Sequence, residues 1–172
     1  MSHPTRLTAA DLSGTSGSAL LALNNAHASE LSWLTSDGLA HLVTQAFFAK
    51  RIGEADALLL AFDQTASYDS PNFLWFRARF PHFVYVDRIV VSAAARGRGL
   101  ARDLYSDLFQ TAALAGHEQI LCEVNTVPPN PGSDAFHAQM GFAEVGSASI
   151  HGGAKSVRYL ARRLSATDVH SG

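Results

Sequence analysis

The stretch Arg96-Gly97-Arg98-Gly99-Leu100-Ala101 limits what this chain can fold into more than any other, because it joins a strand-like run to a helical one. Upstream, residues 83–91 are dominated by β-branched and aromatic side chains and end at Ser92-Ala93-Ala94, the pattern of a strand followed by a short loop. Downstream, Leu100, Leu104, Leu108, Thr111 and Ala115 recur at three- and four-residue steps until Gly116, a helix with its C-terminal glycine. Glycines at such a junction let backbone approach a ligand closely, and the amides of a helix N-terminus point at an anion with the dipole in its favour. Arg96 and Arg98 add positive charge, so the junction predicts a phosphate site. It is not a Walker loop, which needs lysine and then Ser or Thr where Leu100-Ala101 stands. A dinucleotide fingerprint needs a third glycine and sits near the start of a domain, whereas this loop lies past the middle of the chain.

With 172 residues the chain is expected to be a single domain, residues 1–172, with residues 166–172 as a flexible tail. A hydrophobic content of 47% against 16% charged residues is that of a chain that folds by itself. The net charge of −2 gives no global attraction to nucleic acid or anionic lipid, so neither is expected as a partner and any anion site must be local. No apolar run approaches the roughly 20 residues of a spanning helix, and the N-terminus lacks the basic-then-apolar order of a secretory signal, so a cytoplasmic location is expected. Cys122, the one cysteine, sits among Ile120, Leu121 and Val124 and reads as a buried strand residue rather than a catalytic thiol. The eight histidines lack ligand spacing, and no metal is expected.

Elsewhere, residues 19–23 are an apolar run too short to tell strand from helix. Ser36-Asp37 opens a helix expected to reach about Lys50, since Leu39, Leu42, Val43, Ala46 and Phe47 keep helical spacing. Residues 57–62 read as a buried strand, and the turn formers of residues 63–72 as a loop leading into Phe73-Leu74-Trp75-Phe76. A further strand is expected at residues 119–125. Asn130-Pro131 then has the form of an N-cap followed by proline at the first helical position, and residues 142–147 and 156–164 read as final strands.

The run from Tyr85 to Ala101 resembles the central motif of the GNAT acetyltransferases, Gln/Arg-x-x-Gly-x-Gly/Ala, with Arg96, Gly99 and Ala101 at its fixed positions. A second family motif, Asn-x-x-Ala followed by Phe-Tyr-x-x-x-Gly-Phe, is matched by Asn130, Ser133 and Phe136-His137-Ala138-Gln139-Met140-Gly141-Phe142. The resemblance spans roughly residues 39–164. It implies the GNAT fold, an α/β (α+β) architecture with a mixed, strongly twisted sheet of about six to seven strands and helices on both faces. Two central strands would splay to admit acetyl-CoA. The backbone of Ile89, Val90 and Val91 would then pair with the pantetheine arm, and the amides of Arg96, Gly97, Arg98, Gly99, Leu100 and Ala101 would hold the pyrophosphate. Asn130 and Ser133 would add contacts, although Asn130 reads first as a helix cap.

His137 stands where the family usually has the tyrosine that protonates the departing CoA thiolate. With a reference pKa of about 6.5 histidine can do the same, or it can simply pack or hydrogen-bond. Tyr85, Asp87 and Ile89 share one strand face by the two-residue period, which would turn Tyr85 and Asp87 toward the acceptor. Asp87 is then either the general base or half of an ion pair, for instance with Arg88, and Glu123 is a weaker candidate for the base. Residues 68–76, with Asn72 and Trp75, either shape the acceptor pocket or pack beneath a turn. The implied activity is transfer of acetyl from acetyl-CoA to the primary amine of a small molecule by direct attack, with a non-catalytic acyl-CoA-binding module as the alternative. A homodimer through the final strands is compatible with this reading.

Overall fold

The structure is a computed structural model that describes residues 3–170. In chain order its elements are β1 (Thr5–Arg6), α1 (Thr15–Ala26), α2 (Ser36–Gln45), β2 (Phe48–Ile52), β3 (Ala57–Asp63), α3 (Pro71–Arg77), β4 (Val84–Val91), α4 (Leu100–Leu114), β5 (Gln119–Val127), α5 (Pro131–Gln139), β6 (Ala143–Ile150) and β7 (Lys155–Arg163). The strands form one sheet in the order β1-β2-β3-β4-β5-β7-β6. Neighbours run antiparallel except β4 and β5, which are parallel and joined by the crossover helix α4.

Helices cover both faces. On one, Leu104, Tyr105, Leu108 and Ala112 of α4 pack with Met140 and Phe142 onto Val84, Val86, Ile120 and Cys122. On the other, Leu20 and Leu23 of α1 and Leu39 and Val43 of α2 cover Leu58, Leu60 and Val90. Beside them Phe73 and Phe76 of α3 cover Phe62, Tyr85, Leu121 and Tyr159. Residues 57–62 are accordingly buried without alternation, as a strand sandwiched on both faces must be. The expected mixed sheet with flanking helices is the fold that forms.

Several local expectations resolve differently. Residues 19–23 are helical, within α1, because their leucines bury against the sheet rather than extend it. The cap of α2 is Thr35, whose Oγ1 accepts from the Gly38 amide at 3.0 Å, and the helix ends at Gln45 rather than near Lys50. Residues beyond it form β2, where Phe48 and Ile52 turn inward and Lys50 reaches Asp107 of α4 at 2.6 Å. Pairing with residues 57–61 of β3 outweighs the helical spacing that runs on to Phe47. The aromatic run after the loop is helical too, since Ser70 caps it through Phe73 N and Pro71 takes the first position.

Of the expected tail, residues 171–172 lie outside the described residues, while Ala166–His170 makes a short 3-10 turn. Asp168 is buried there and bonded by Arg162 at 3.0 and 3.2 Å and by the Ser165 amide at 2.7 Å. No helix among the described residues is long and apolar enough to cross a membrane, and no cluster of metal-ligating side chains occurs among them.

Candidate active site

β4 and β5 pair only at Val84 with Ile120 and Tyr85 with Leu121, then part. The parting coincides with a β-bulge in β4. Leu60 of β3 pairs with Arg88 and Ala61 with Val86, so Asp87 is an extra residue that bends and twists the strand. A cleft of about 380 Å³ opens between the strands, with the starts of α3 and α5, the α1–α2 connection and Tyr105 of α4 also lining it.

The bulge resets the two-residue period. Tyr85 pairs with Phe62 and joins the aromatic core under α3, whereas Ile89 and Val91 pack on the α4 side of the sheet. Tyr85, Asp87 and Ile89 therefore do not share one face, although all three reach the cleft. Asp87 itself is closed off. Tyr68 donates to its Oδ1 at 2.6 Å and Arg88 Nε to its Oδ2 at 2.7 Å, and both charged side chains are almost wholly buried. Arg88 continues the network to Asn24 Oδ1 at 2.8 Å and Ser32 Oγ at 3.1 Å, tying the α1–α2 connection to β4. Burial alone would make Arg88 easier to deprotonate, but the adjacent Asp87 carboxylate outweighs it and holds the guanidinium charged. Burial and the Asp87 charge push the Tyr68 phenol far up, so it stays a donor.

Glu123 of β5 contrasts with this. Its Oε2 is out of solvent and has no hydrogen-bond partner, the one such side-chain atom among the described residues. Burial pushes the carboxyl up to about 8, with the Asp87 charge adding to the rise and the polar groups of Tyr85 and Asn72 opposing it. The Tyr85 hydroxyl is raised by its own burial and by the Glu123 charge, and so remains protonated.

His137 is buried in α5 with both ring nitrogens engaged. Nδ1 lies 2.8 Å from the Ser133 carbonyl, which can only accept, so Nδ1 carries the proton; Ser133 Oγ is 3.1 Å away. Nε2 is then the acceptor for the Tyr105 hydroxyl at 2.7 Å. Burial lowers the His137 pKa despite the opposing Ser133 carbonyl and Asp134 charge, and the ring is neutral at pH 7. Tyr105, fully buried, is raised well above the usual phenol range by desolvation and then by neighbouring Cys122 and Glu123. Sequence reasoning did not single out Tyr105. The available signal was a hydroxyl placed beside Leu104 on an otherwise apolar helix face.

Asn130 caps α5 through its Oδ1 and Ser133 N at 3.3 Å, as its sequence setting predicts. Gly97 and Gly99 have φ of 78° and 76°, a region that favours glycine, and a side chain built at either would meet nothing within 4 Å. Their loop thus leaves open space in front of the N-terminus of α4, in a hollow lined by Val91, Ala101 and Phe136. The buried Leu100 anchors it from below. Arg96 crosses to His27 Nε2 at 3.2 Å, and Arg98 pairs loosely with Asp56 at 3.6 Å. Trp75 is fixed away from the cleft, stacked on Tyr159 with ring centroids 4.0 Å apart. Gly146 admits it, because a Cβ there would come within 2.6 Å of the indole. Asn72 does line the cleft, and its Oδ1 accepts from Tyr159 at 2.9 Å.

Residues 38–142 match the model of the acetyltransferase (GNAT) family. No curated protein matches the sequence. Solved structures with the same fold include the ribosomal-protein-S18-alanine N-acetyltransferase of Escherichia coli, 15% identical with a TM-score of 0.67 over 96% of this chain and 95% of that one. Ard1 from Thermoplasma volcanium is 11% identical, with a TM-score of 0.71 over 95% and 98% of the two chains. A putative phosphinothricin N-acetyltransferase is 17% identical, with a TM-score of 0.66 over 96% and 99%. At such identities the likeness shows the fold, and the family match extends over most of the elements that build the cleft, from α2 to the end of α5. The chain belongs to the GNAT acetyltransferase family.

Proposed function

We propose that this protein is an N-acetyltransferase that takes acetyl from acetyl-CoA and passes it to the primary amine of a small molecule by direct attack. The observation that carries the reading is the unpartnered Oε2 of Glu123, at about pKa 8, in a cleft between parted strands, one of which, β4, runs on into the anion-ready loop.

Acetyl-CoA, when bound, supplies the thioester carbonyl that the amine attacks. The residues present suit it. Past Tyr85 the β5-facing edge of β4 has no strand partner, so the outward backbone groups of Ile89 and Val91 are free to pair with an extended arm, while Val90 between them turns its own toward Leu58 of β3. The amides from Arg96 to Ala101, in front of open space at Gly97 and Gly99, suit a pyrophosphate. Asn130 and Ser133 border the same cleft.

Glu123 is the general base in this reading, in place of Asp87, whose oxygens are both committed. An approaching ammonium stabilises the Glu123 carboxylate and lets it accept the amine proton, directly or through water. An outward-facing amide of β4, at Ile89 or Val91, donates to the carbonyl oxygen as charge develops on it. Tyr105 turns its proton from His137 Nε2 toward the departing sulfur, and His137, fixed by Ser133, holds that hydroxyl in position. Tyr85 borders Glu123 on the acceptor side.

Thiol release from acetyl-CoA across a panel of small amines tests the proposal. Release with at least one amine supports transfer. Tight acetyl-CoA binding with no release for any amine would instead mean a binding module, and a larger thermal shift with ATP than with acetyl-CoA would overturn the reading of the loop.

A further inference from the structure

The two lysines of the chain are treated differently by the fold. Lys50 is neutralised by Asp107 at 2.6 Å. Lys155 is half-buried at the start of β7, lines the cleft, and has no hydrogen bond or ion pair among the described residues. An ammonium that lines a cleft without a counter-charge is left to pair with an anionic group that visits that cleft.

Register locates that charge relative to the proposed base. Glu123 of β5 pairs with Tyr159 of β7, and Asn125 with Val157. Tyr159, Val157 and Lys155 alternate onto one face of β7, the face that carries the α3-side core. Lys155 is four residues beyond Tyr159, roughly 13 Å along the strand, and its flexible stem can lean back toward Glu123. Asn125, whose side-chain amide makes no hydrogen bond among the described residues, lies between them and also lines the cleft. The cleft therefore has a carboxyl at its floor and a free cation at its mouth, separated by a polar step.

The remaining charged or titratable groups in the lining agree with this. Asp87 and Arg88 cancel each other as a buried pair. His151 adjoins Lys155 on the β6–β7 turn, and Glu30, exposed on the α1–α2 connection, lines the same cleft without an ion pair among the described residues. The mouth thus offers one charge of each sign, an arrangement that matches a zwitterion better than a polycation.

We infer that the acceptor is a small amine that also carries a carboxylate several bonds from its nitrogen, and that Lys155 binds this carboxylate while Glu123 receives the amine. The inference rests on the acetyltransferase reading and narrows its acceptor. It is tested by kcat/KM for ε-aminocaproate, hexylamine and hexamethylenediamine, which share chain length and differ in the charge at the far end. The wild-type protein should favour ε-aminocaproate over both by about tenfold or more, the scale of one charge-assisted contact. Lys155→Gln should bring the ratio to hexylamine close to one, Lys155→Arg should keep the preference, and Lys155→Glu should shift it to the diamine. A wild-type preference for the diamine or for hexylamine, or a carboxylate preference that survives in Lys155→Gln, would overturn the inference and leave the acetyltransferase reading standing. Acetyl-CoA binding by calorimetry with no thiol release from any of the three would count against that reading itself, and the inference would fall with it.

Discussion

Two carboxyl groups reach the same cleft from adjacent strands, and the fold treats them in opposite ways. Asp87 sits at the bulge of β4 with a phenol at 2.6 Å and a guanidinium at 2.7 Å, one for each oxygen. Glu123 sits on a regular stretch of β5 with Oε2 bonded to nothing. Both are removed from water, so burial does not separate them; partners do. A buried carboxylate with its donors in place is structural material, whereas one without them keeps a proton and is ready to exchange it.

The largest expected effect breaks this comparison at Glu123. Glu123→Gln keeps size and shape but removes the base, so kcat should fall by roughly 10²–10⁴-fold with little change in thermal midpoint. The same group sets the pH dependence. The base acts as carboxylate, so kcat/KM should rise with pH through about 8 and level off above it. That limb should stay in place when the acceptor's own amine pKa is changed, and be missing in Glu123→Gln. A limb that follows the acceptor pKa would remove Glu123 from the chemistry.

The counterpart at Asp87 should be an effect on stability instead. Asp87→Asn leaves the Arg88 charge buried without its partner, a change on the order of 3–5 kcal/mol in other proteins, measurable by urea unfolding. Turnover per folded molecule should stay within a few-fold of wild type. Intact stability with a collapse in kcat would exchange the roles assigned to the two acids.

How far the sequence could be read follows from the same contrast. The loop at Gly97 and Gly99 was legible because its information is local: two glycines at positive φ, a strand before, a helix after. Asn130 as a cap was legible for the same reason. The acceptor side was not, because its key fact is a register shift between Leu60 and Ala61, which one strand's alternation cannot reveal. That shift separates Tyr85 from Ile89 and gives Asp87 to Tyr68, a residue 19 positions away. β2 was missed because Phe47 continues a helical spacing that pairing with β3 overrides. Tyr105 was hidden by its own apolar surroundings.

A smaller effect is expected at the legible end of the cleft. Gly99→Val should weaken acetyl-CoA binding by about tenfold in calorimetry, since the side chain would project into the open space before the α4 amides. The φ of 76° adds a conformational cost of about 1–2 kcal/mol, so the thermal midpoint should fall slightly as well. Gly116→Val, at the far end of α4 with φ of 86° and a Cβ that also meets nothing within 4 Å, provides the control for the conformational cost away from the loop. Equal affinities in Gly99→Val and wild type would separate the loop from acetyl-CoA.

The smallest effect is expected at His137. Its ring is neutral in the fold, with Nδ1–H given to the Ser133 carbonyl and Nε2 accepting from Tyr105, and burial holds its pKa below 6.5. In the unfolded chain the same imidazole takes up a proton near 6.5. Between the two values the unfolded state binds more protons, and stability must then rise with pH. His137 therefore contributes no penalty above pH 7 and a growing one as pH falls through 6.5 toward its folded pKa. Unfolding free energies of wild type and His137→Gln, measured at pH 7.5 and pH 5.5, should differ in slope, with the wild type losing more on acidification. Because the other titrating groups are common to both proteins, the difference isolates this ring. Equal slopes would mean that His137 charges freely in the fold. It could then supply the thiolate proton itself, and the wild-type rate should fall as pH rises through its pKa. If His137 only positions Tyr105, that falling limb is missing. Tyr105→Phe should then lower kcat more than His137→Gln does, because the hydroxyl that meets the sulfur is lost rather than loosened.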